Sequence, residues 1–244
     1  MGNYLGKEIA EWRLDTINRF WDFSSKEPNK YFTHIHGKEI VSFFKDEISK
    51  NSTILDYGAG LGFLSEILLD KGYQVKCLDS SPDSLNILQE KLGHYRNFLG
   101  SNNLESIKQL DEKFDTIFVI EVIEHLYDDY LNELLENVRD LLTEKGRVIF
   151  TTPNQENLSE SLIYCPFSDL VFHRWQHVRS WDANSLRKKL KDSGFNSVEI
   201  EETHFIPIPK WKGFNRKSIG HILGYLRDKI EKRKPHLVAI AALN

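Results

Sequence analysis

Nine residues constrain this chain more than any others: Ile54-Leu55-Asp56-Tyr57-Gly58-Ala59-Gly60-Leu61-Gly62. They run from an apolar, strand-like stretch into three glycines, then into the apolar-periodic segment Phe63–Lys71, which Gly72 closes. A strand that turns on glycines into a helix opens an α/β unit. Glycines there let the backbone pass close to a ligand where a Cβ would clash.

The alternation continues downstream. Tyr73–Asp79 reads as a second strand, and Ser81-Pro82-Asp83 as a helix start with Ser81 as cap. Arg96–Leu99 is a weak third strand, and Phe114–Ile120 is apolar enough to be buried on both faces. A helix over Tyr127–Leu142, a strand over Gly146–Thr152 and a helix over Asp182–Ser193 follow. Phe195–Glu202 and Leu237–Leu243 complete the strands. This order predicts a Rossmann-like α/β three-layer sandwich with a mostly parallel sheet. Residues 1–50 predict a helical extension, from the spacing of Ile9, Trp12, Ile17, Phe20 and Trp21, then of Ile40, Val41, Phe43, Phe44 and Ile48. The expected division is therefore a 1–50 extension and a 51–244 binding domain. That domain carries an inserted loop at 153–181 and a basic helical insertion at 207–235.

Composition narrows the class. A chain of 244 residues with a net charge of −4 shows no nucleic-acid footprint as a whole. Cys77 and Cys165 are far apart, which suits a reduced compartment and gives neither a disulfide framework nor a zinc spacing. The first residues are too charged for a signal peptide, and no apolar run approaches the ~20 residues that span a bilayer. A soluble cytoplasmic protein is expected.

The ligand follows from three positions. A dinucleotide fingerprint begun at Gly58 and Gly60 would need a small residue where Phe63 stands, which disfavours a dinucleotide oxidoreductase. Asp56 places an acid at the strand end, and Asp79 closes the next strand where a carboxylate accepts hydrogen bonds from ribose hydroxyls. A cationic cofactor without pyrophosphate fits these acids. The segment ILDYGAGLG resembles the first motif of the class I S-adenosylmethionine-dependent methyltransferases at every position. The resemblance covers about residues 53–200 and implies a seven-stranded sheet whose final strand runs antiparallel. It also implies that Gly58, Ala59 and Gly60 border the methionine moiety, Asp79 holds the ribose, and the adenine lies near Asn102, Asn103 and Leu104. With Asp56, Gly62, Ser80 and Glu121 these form the expected cofactor-binding set.

Phe114–Ile120 runs directly into Glu121-Val122-Ile123-Glu124-His125. If the segment turns helically, Glu121, Glu124 and His125 share one face at the carboxyl end of a central strand. Two carboxylates and an imidazole there suit a divalent cation with mixed oxygen and nitrogen ligands. His177 in the long loop is the expected fourth ligand, with His173 as the other choice. The segment resembles that of ubiquinone-pathway O-methyltransferases. Together with Thr152-Pro153-Asn154 and His177 followed by Trp181, it also resembles small-RNA 3′-terminal 2′-O-methyltransferases. The resemblance implies Mg²⁺ or Mn²⁺ gripping two neighbouring hydroxyls of the acceptor. Glu121, His125 and His177 are the expected catalytic residues. In a metal-free alternative the glutamate contacts cofactor or substrate and the histidine is a general base.

Between Pro207 and Pro235, lysines and arginines alternate with Ile219, Ile222, Leu223, Leu226 and Ile230. Peripheral contact with an anionic surface and a packed helix with a solvated basic face are the two readings. In the leader, Tyr31, Phe32, His34 and His36 either cover the cofactor or pack in the core.

The expected function is O-methylation of a small-molecule or glycan hydroxyl, with divalent-metal assistance. One alternative is an RNA 2′-O-methyltransferase, against which the acidic charge and the lack of an RNA-binding module count. The other is a non-catalytic cofactor-binding partner protein, against which the intact loop and the Glu121, Glu124, His125 group count.

Overall fold

A computed structural model of the chain describes residues 2–109, 111–206, 223–224, 226–227, 230 and 234–244. Seven strands form the central sheet: β1 Thr53–Tyr57, β2 Gln74–Asp79, β3 Phe98–Asn103, β4 Phe114–Ile120, β5 Leu142–Pro153, β6 Ser197–Thr203 and β7 His236–Ala242. Their spatial order is β6–β7–β5–β4–β1–β2–β3. Strands β1 to β5 pair in parallel, and β7 runs antiparallel to both β5 and β6. The helices are α1 Leu14–Ser24, α2 Phe32–Phe43, α3 Phe63–Asp70, α4 Pro82–Leu92, α5 Asp128–Leu141 and α6 Ala183–Asp192.

Alternate residues of each strand feed two cores, as a pleated strand requires. Leu55, Ile117, Val119, Val148 and Phe150 pack with Leu134 and Val138 of α5 and Leu186 and Leu190 of α6. Ile54, Phe118 and Ile149 pack on the other face with Ile40 and Val41 of α2, Leu64 and Leu68 of α3, and Leu88 of α4. Residues on both faces of β4 are therefore fully buried, which is why its sequence lacks polar alternation.

Three expectations change, and a fourth lies outside the described residues. The leader is not helical from its start: Asn3–Tyr4 and Lys7–Glu8 pair as a short antiparallel hairpin, and helix begins only at Leu14. Leu5 and Gly6 adopt positive φ at the hairpin tip, a turn that a helical repeat cannot contain. Strand β3 runs on to Asn103, so Asn102 and Asn103 lie within it rather than after it. The 153–181 loop contains structure of its own: a helical turn at Leu158–Ser161 and a hairpin of Leu162–Cys165 with Leu170–His173. Ala10 N–H donates to Val171 O at 2.7 Å, so the leader and this hairpin join. The basic insertion lies outside the described residues except Leu223, Gly224, Leu226, Arg227, Ile230, Lys234 and Pro235, and the anionic contact expected of it lies there too. No helix among the described residues is long and apolar enough to cross a membrane.

Phe32 and His36 pack against the start of β7. The Phe32 ring lies 5.0 Å from His236 at the start of β7, Phe205 lies 5.5 Å from it, and His36 lies 5.9 Å from it. Burial, then the neighbouring imidazoles of His36 and His204, push His236 down to about 3. A depressed imidazole stabilises the fold above its unfolded value of 6.5 and loses that contribution as pH falls from 6.5 toward 3. The expected slope from this ring is ~1.4 kcal/mol per pH unit once the pH is well below its unfolded value. Urea denaturation of wild type and His236→Leu between neutral pH and pH 4.5 checks it. Identical slopes in the two proteins would contradict the assignment.

Candidate active site

The glycine loop is held from below and capped from above. Gly58 and Ala59 N–H both donate to Leu78 O of β2, at 2.8 and 3.0 Å. Gly60 N–H donates to Asp79 Oδ2 at 2.8 Å, and Ser81 N–H donates to Asp79 Oδ1 at 2.9 Å. One carboxylate thus joins the loop after β1 to the start of α4. Burial raises the Asp79 carboxyl above its ordinary value, opposed by the bonds from Ser81 and Gly60.

Gly58 and Gly60 have φ of +77° and +53°, a region that L side chains avoid. A Cβ on Gly58 would lie 2.8 Å from Val122, and one on Gly60 would lie 3.1 Å from the Tyr31 ring. The first contact ties the loop to the acid segment after β4. The second shows Tyr31 lying over the loop, with Trp21 at 6.4 Å and Phe63 at 6.3 Å between ring centroids. Ser81 Oγ donates to Asp22 Oδ1 at 3.1 Å, which fastens α1 to the same edge.

Of the expected cofactor set, Gly58, Ala59, Gly60, Asp79, Ser80, Asn103 and Leu104 sit at the carboxyl ends of β1, β2 and β3. Asn103 registers opposite Asp79 and its Nδ2 donates to Ser80 O at 3.4 Å. Asp56 lies deeper, inside β1. It is buried and accepts from Ser65 Oγ of α3 at 2.5 Å, and burial pushes it up to about 6. Gly62 stands at the N-terminus of α3 and faces Leu88 and Leu92 of α4.

The acid segment is not one helical face. Glu121 has φ +52°, and only Ile123–His125 turns helically, as a single 3₁₀ turn. The cause lies on β5. Thr151 Oγ1 donates to Glu121 Oε1 at 2.9 Å, and Thr152 Oγ1 donates to Glu124 Oε2 at 3.0 Å. Successive strand residues point to opposite faces, so the chain must cross between Glu121 and Glu124 to meet both. A left-handed residue makes that crossing in one step.

Glu124 is 1% exposed, and its Oε1 has no hydrogen-bond partner. Burial, then the Glu121 carboxylate, hold Glu124 well above the usual range. Glu121 keeps part of its surface accessible and is shifted upward too, by burial ahead of the opposing bond from Thr151. His125 is buried and pushed down to about 3, first by desolvation and then by His177, so it is neutral near pH 7.

Glu124, His125 and His177 each bring one ligand atom within 4.8 Å of the others. Glu121 is not part of that convergence, although its charge acts on Glu124. Three further residues enclose the group. Gln176 is fully buried at φ +62°; its Nε2 donates to His125 O at 2.9 Å, and its Oε1 accepts from Trp21 Nε1 at 3.1 Å. The Trp21 ring packs edge-on to His125 at 5.0 Å. Glu156 Oε2 lies 2.5 Å from His177 Nδ1. Burial raises Glu156, but bonds with His173 and His177 outweigh it and draw the carboxyl down to about 2.

Sequence reasoning placed Trp21 on an apolar helix and passed over Glu156 and Gln176. The signal for Gln176 was its position between two candidate histidines. Glu156, two residues past Asn154, carried none.

The strand order, the antiparallel β7 and the loop with its paired Asp79 make the chain a class I S-adenosylmethionine-dependent methyltransferase. Residues 24–200 match the methyltransferase-domain family, and the chain belongs to that family. It is similar to a ubiquinone biosynthesis O-methyltransferase of Azorhizobium caulinodans, 26% identical over 172 residues, which cover 67% of this chain and 66% of that protein. The namesake of Pelagibacter ubique is 23% identical over 250 residues, covering 93% of this chain and 100% of that protein. Among solved structures, the glycopeptide N-methyltransferase MtfA superposes with a TM-score of 0.62 at 17% identity, over 87% of this chain and 92% of that one. A putative methyltransferase of Haloferax volcanii, solved in complex with the Trm112 methyltransferase activator, superposes with a TM-score of 0.66 at 15% identity, over 93% and 97%. At these identities the two structures speak for the fold.

Proposed function

We propose that this methyltransferase transfers its methyl group to a hydroxyl oxygen of a small molecule or glycan, assisted by a divalent cation. The observation that carries this reading is the unpartnered Glu124 Oε1, buried where His125 and His177 converge. An orphaned buried carboxylate oxygen costs free energy unless something positive completes it. The relatives named as ubiquinone biosynthesis O-methyltransferases support a hydroxyl acceptor.

Each residue then has a task. Asp79 would hold the ribose of the cofactor, and Gly58 to Gly60 would leave room for its methionine part. Bound S-adenosylmethionine supplies a methyl group on a sulfonium, which leaves as a neutral thioether. Glu124, His125 and His177 would hold Mg²⁺ or Mn²⁺, with Glu121 adding charge. When bound, such a cation lowers the pKa of an attached hydroxyl. Thr151 and Thr152 aim the two glutamates, and neutral His125, with Nδ1 against Gln176 O at 3.4 Å, offers its bare Nε2 as a ligand. Trp21 and Gln176 cover the group, Tyr31 covers the glycine loop, and together they limit water.

The test is methyl transfer to vicinal-dihydroxy aromatic and sugar acceptors, with S-adenosylhomocysteine release as the readout. Chelation by EDTA is expected to abolish turnover, and Mn²⁺ or Mg²⁺ to restore it. Undiminished turnover after exhaustive chelation would remove the cation. Transfer to amines alone would remove the hydroxyl acceptor.

A further inference from the structure

Two side chains outside the proposed cation group are arranged toward one of its members. His173 is 3% exposed, on the last residue of the loop hairpin. Its Nδ1 accepts from two backbone donors, His177 N–H at 3.1 Å and Trp175 N–H at 3.4 Å. An imidazole nitrogen that accepts carries no proton, so in the neutral ring the proton is on Nε2. That Nε2 is buried without a well-formed hydrogen bond and lies 3.5 Å from Glu156 Oε1. The other oxygen of the same carboxylate lies 2.5 Å from His177 Nδ1. An ionised carboxylate only accepts, so His177 Nδ1 must carry the proton.

The carboxylate itself is seated on fixed backbone. Gln155 N–H donates to Trp181 O at 2.7 Å, Asn154 N–H donates to Pro235 O at 2.7 Å, and Gln155 has φ +50°. The rings of His173 and His177 stack, with centroids 4.7 Å apart. Protonation states thus run in one direction, from backbone N–H through His173 and Glu156 to His177. A bare nitrogen, Nε2, is left at the far end.

We propose that Glu156 and His173 are positioning residues that lock His177 in its Nδ1–H tautomer, so that Nε2 is the nitrogen His177 offers to the reaction site. The use of that nitrogen rests on the cation reading above; the tautomer does not. Glu156, His173 and His177 also bring ligand atoms within 4.8 Å of one another, which is the geometry of a cation site. His173 argues against a second ion there. Its Nδ1 is already an acceptor, and ligation through Nε2 would require an imidazolate.

The test uses the full chain labelled with ¹⁵N-histidine. Long-range ¹H–¹⁵N spectra are expected to show a protonated Nδ1 and an unprotonated Nε2 for His177, whose signals are identified by their loss in His177→Asn. Glu156→Gln presents an amide that cannot accept from both rings at once, and the His177 pattern is expected to move toward Nε2–H. Glu156→Asp keeps two acceptor oxygens and is expected to restore the Nδ1–H pattern. By calorimetry, Mn²⁺ affinity should fall ~10- to 100-fold in Glu156→Gln and recover in Glu156→Asp. S-adenosylhomocysteine affinity should hold in both. A His177 pattern unchanged by Glu156→Gln overturns the inference. So does a wild-type stoichiometry of two Mn²⁺ per chain that drops to one in Glu156→Gln, since Glu156 would then be a ligand. A wild-type protein with the Nδ1–H pattern and no Mn²⁺ binding removes the cation reading and leaves the tautomer lock standing.

Discussion

Replacing Glu124 by glutamine is expected to raise the stability of the metal-free protein while abolishing its methyl transfer. The two effects share one cause. Glu124 is buried, one oxygen is bonded by Thr152 and the other by nothing, and burial with Glu121 beside it lifts the carboxyl well above its usual value. A carboxyl raised in the fold contributes stability that is complete below the unfolded value of 4.5 and is lost as pH rises through the folded value. Near pH 7 the wild type therefore holds this group at a cost. Glutamine keeps the shape and removes the charge. The expected gain is about 1–3 kcal/mol, or roughly 2–10 °C in Tm for a domain of this size. Turnover is expected to fall at least ~100-fold, a few kcal/mol of transition-state stabilisation. The Tm increase produced by Mn²⁺ in the wild type should vanish. Calorimetric scans with and without Mn²⁺, beside turnover, decide it. A variant that is less stable without metal yet fully active would refute the role given to Glu124.

Asp79→Ala should cost cofactor binding rather than chemistry. The carboxylate accepts from Gly60 N–H and Ser81 N–H and stands where the ribose is expected. The variant loses both loop anchors as well as the acceptors for the ligand. Hydrogen bonds to a charged group contribute about 1.5–3 kcal/mol each. The expected loss in S-adenosylhomocysteine affinity is therefore ~100-fold or more. Asp79→Asn, which keeps an acceptor, should lose less. Titration calorimetry giving the wild-type Kd for Asp79→Ala would show that the ribose is held elsewhere.

The fold was legible because its signals are local. An apolar strand, three glycines, a helix and an acid at the next strand end lie within residues 53 to 79 and mean little apart. The seven-stranded sheet and its antiparallel β7 followed from the resemblance they carry. The leader was less legible, since Ile9 and Trp12 match a helical repeat yet lie before α1 begins at Leu14. The site was half legible. Glu124 and His125 were named from spacing and His177 from its place in the long loop after β5, and the structure brings the three together. Glu121 was placed on their helical face because nothing nearby announces a left-handed residue. Its conformation answers to Thr151 and Thr152, on another strand. Glu156 and Gln176 were missed for the same reason: their partners, His177, His173, His125 and Trp21, mostly lie far off in sequence.

Strand β7 comes after β6 in the chain yet lies between β5 and β6 in the sheet. Until it enters, one side of β5 is an open edge of unpaired N–H and C=O groups. Thr151 and Thr152 sit on that edge, registered with Val238 and Leu237 of β7. Any assembly that joins sequence neighbours before distant partners forms β1 and β2, with the loop between them, long before β5 meets β7. In that order the glycine loop and its bond to Asp79 form before β5 is paired on both sides. Thr151 and Thr152, which bond Glu121 and Glu124, gain their second neighbouring strand only when β7 joins β5.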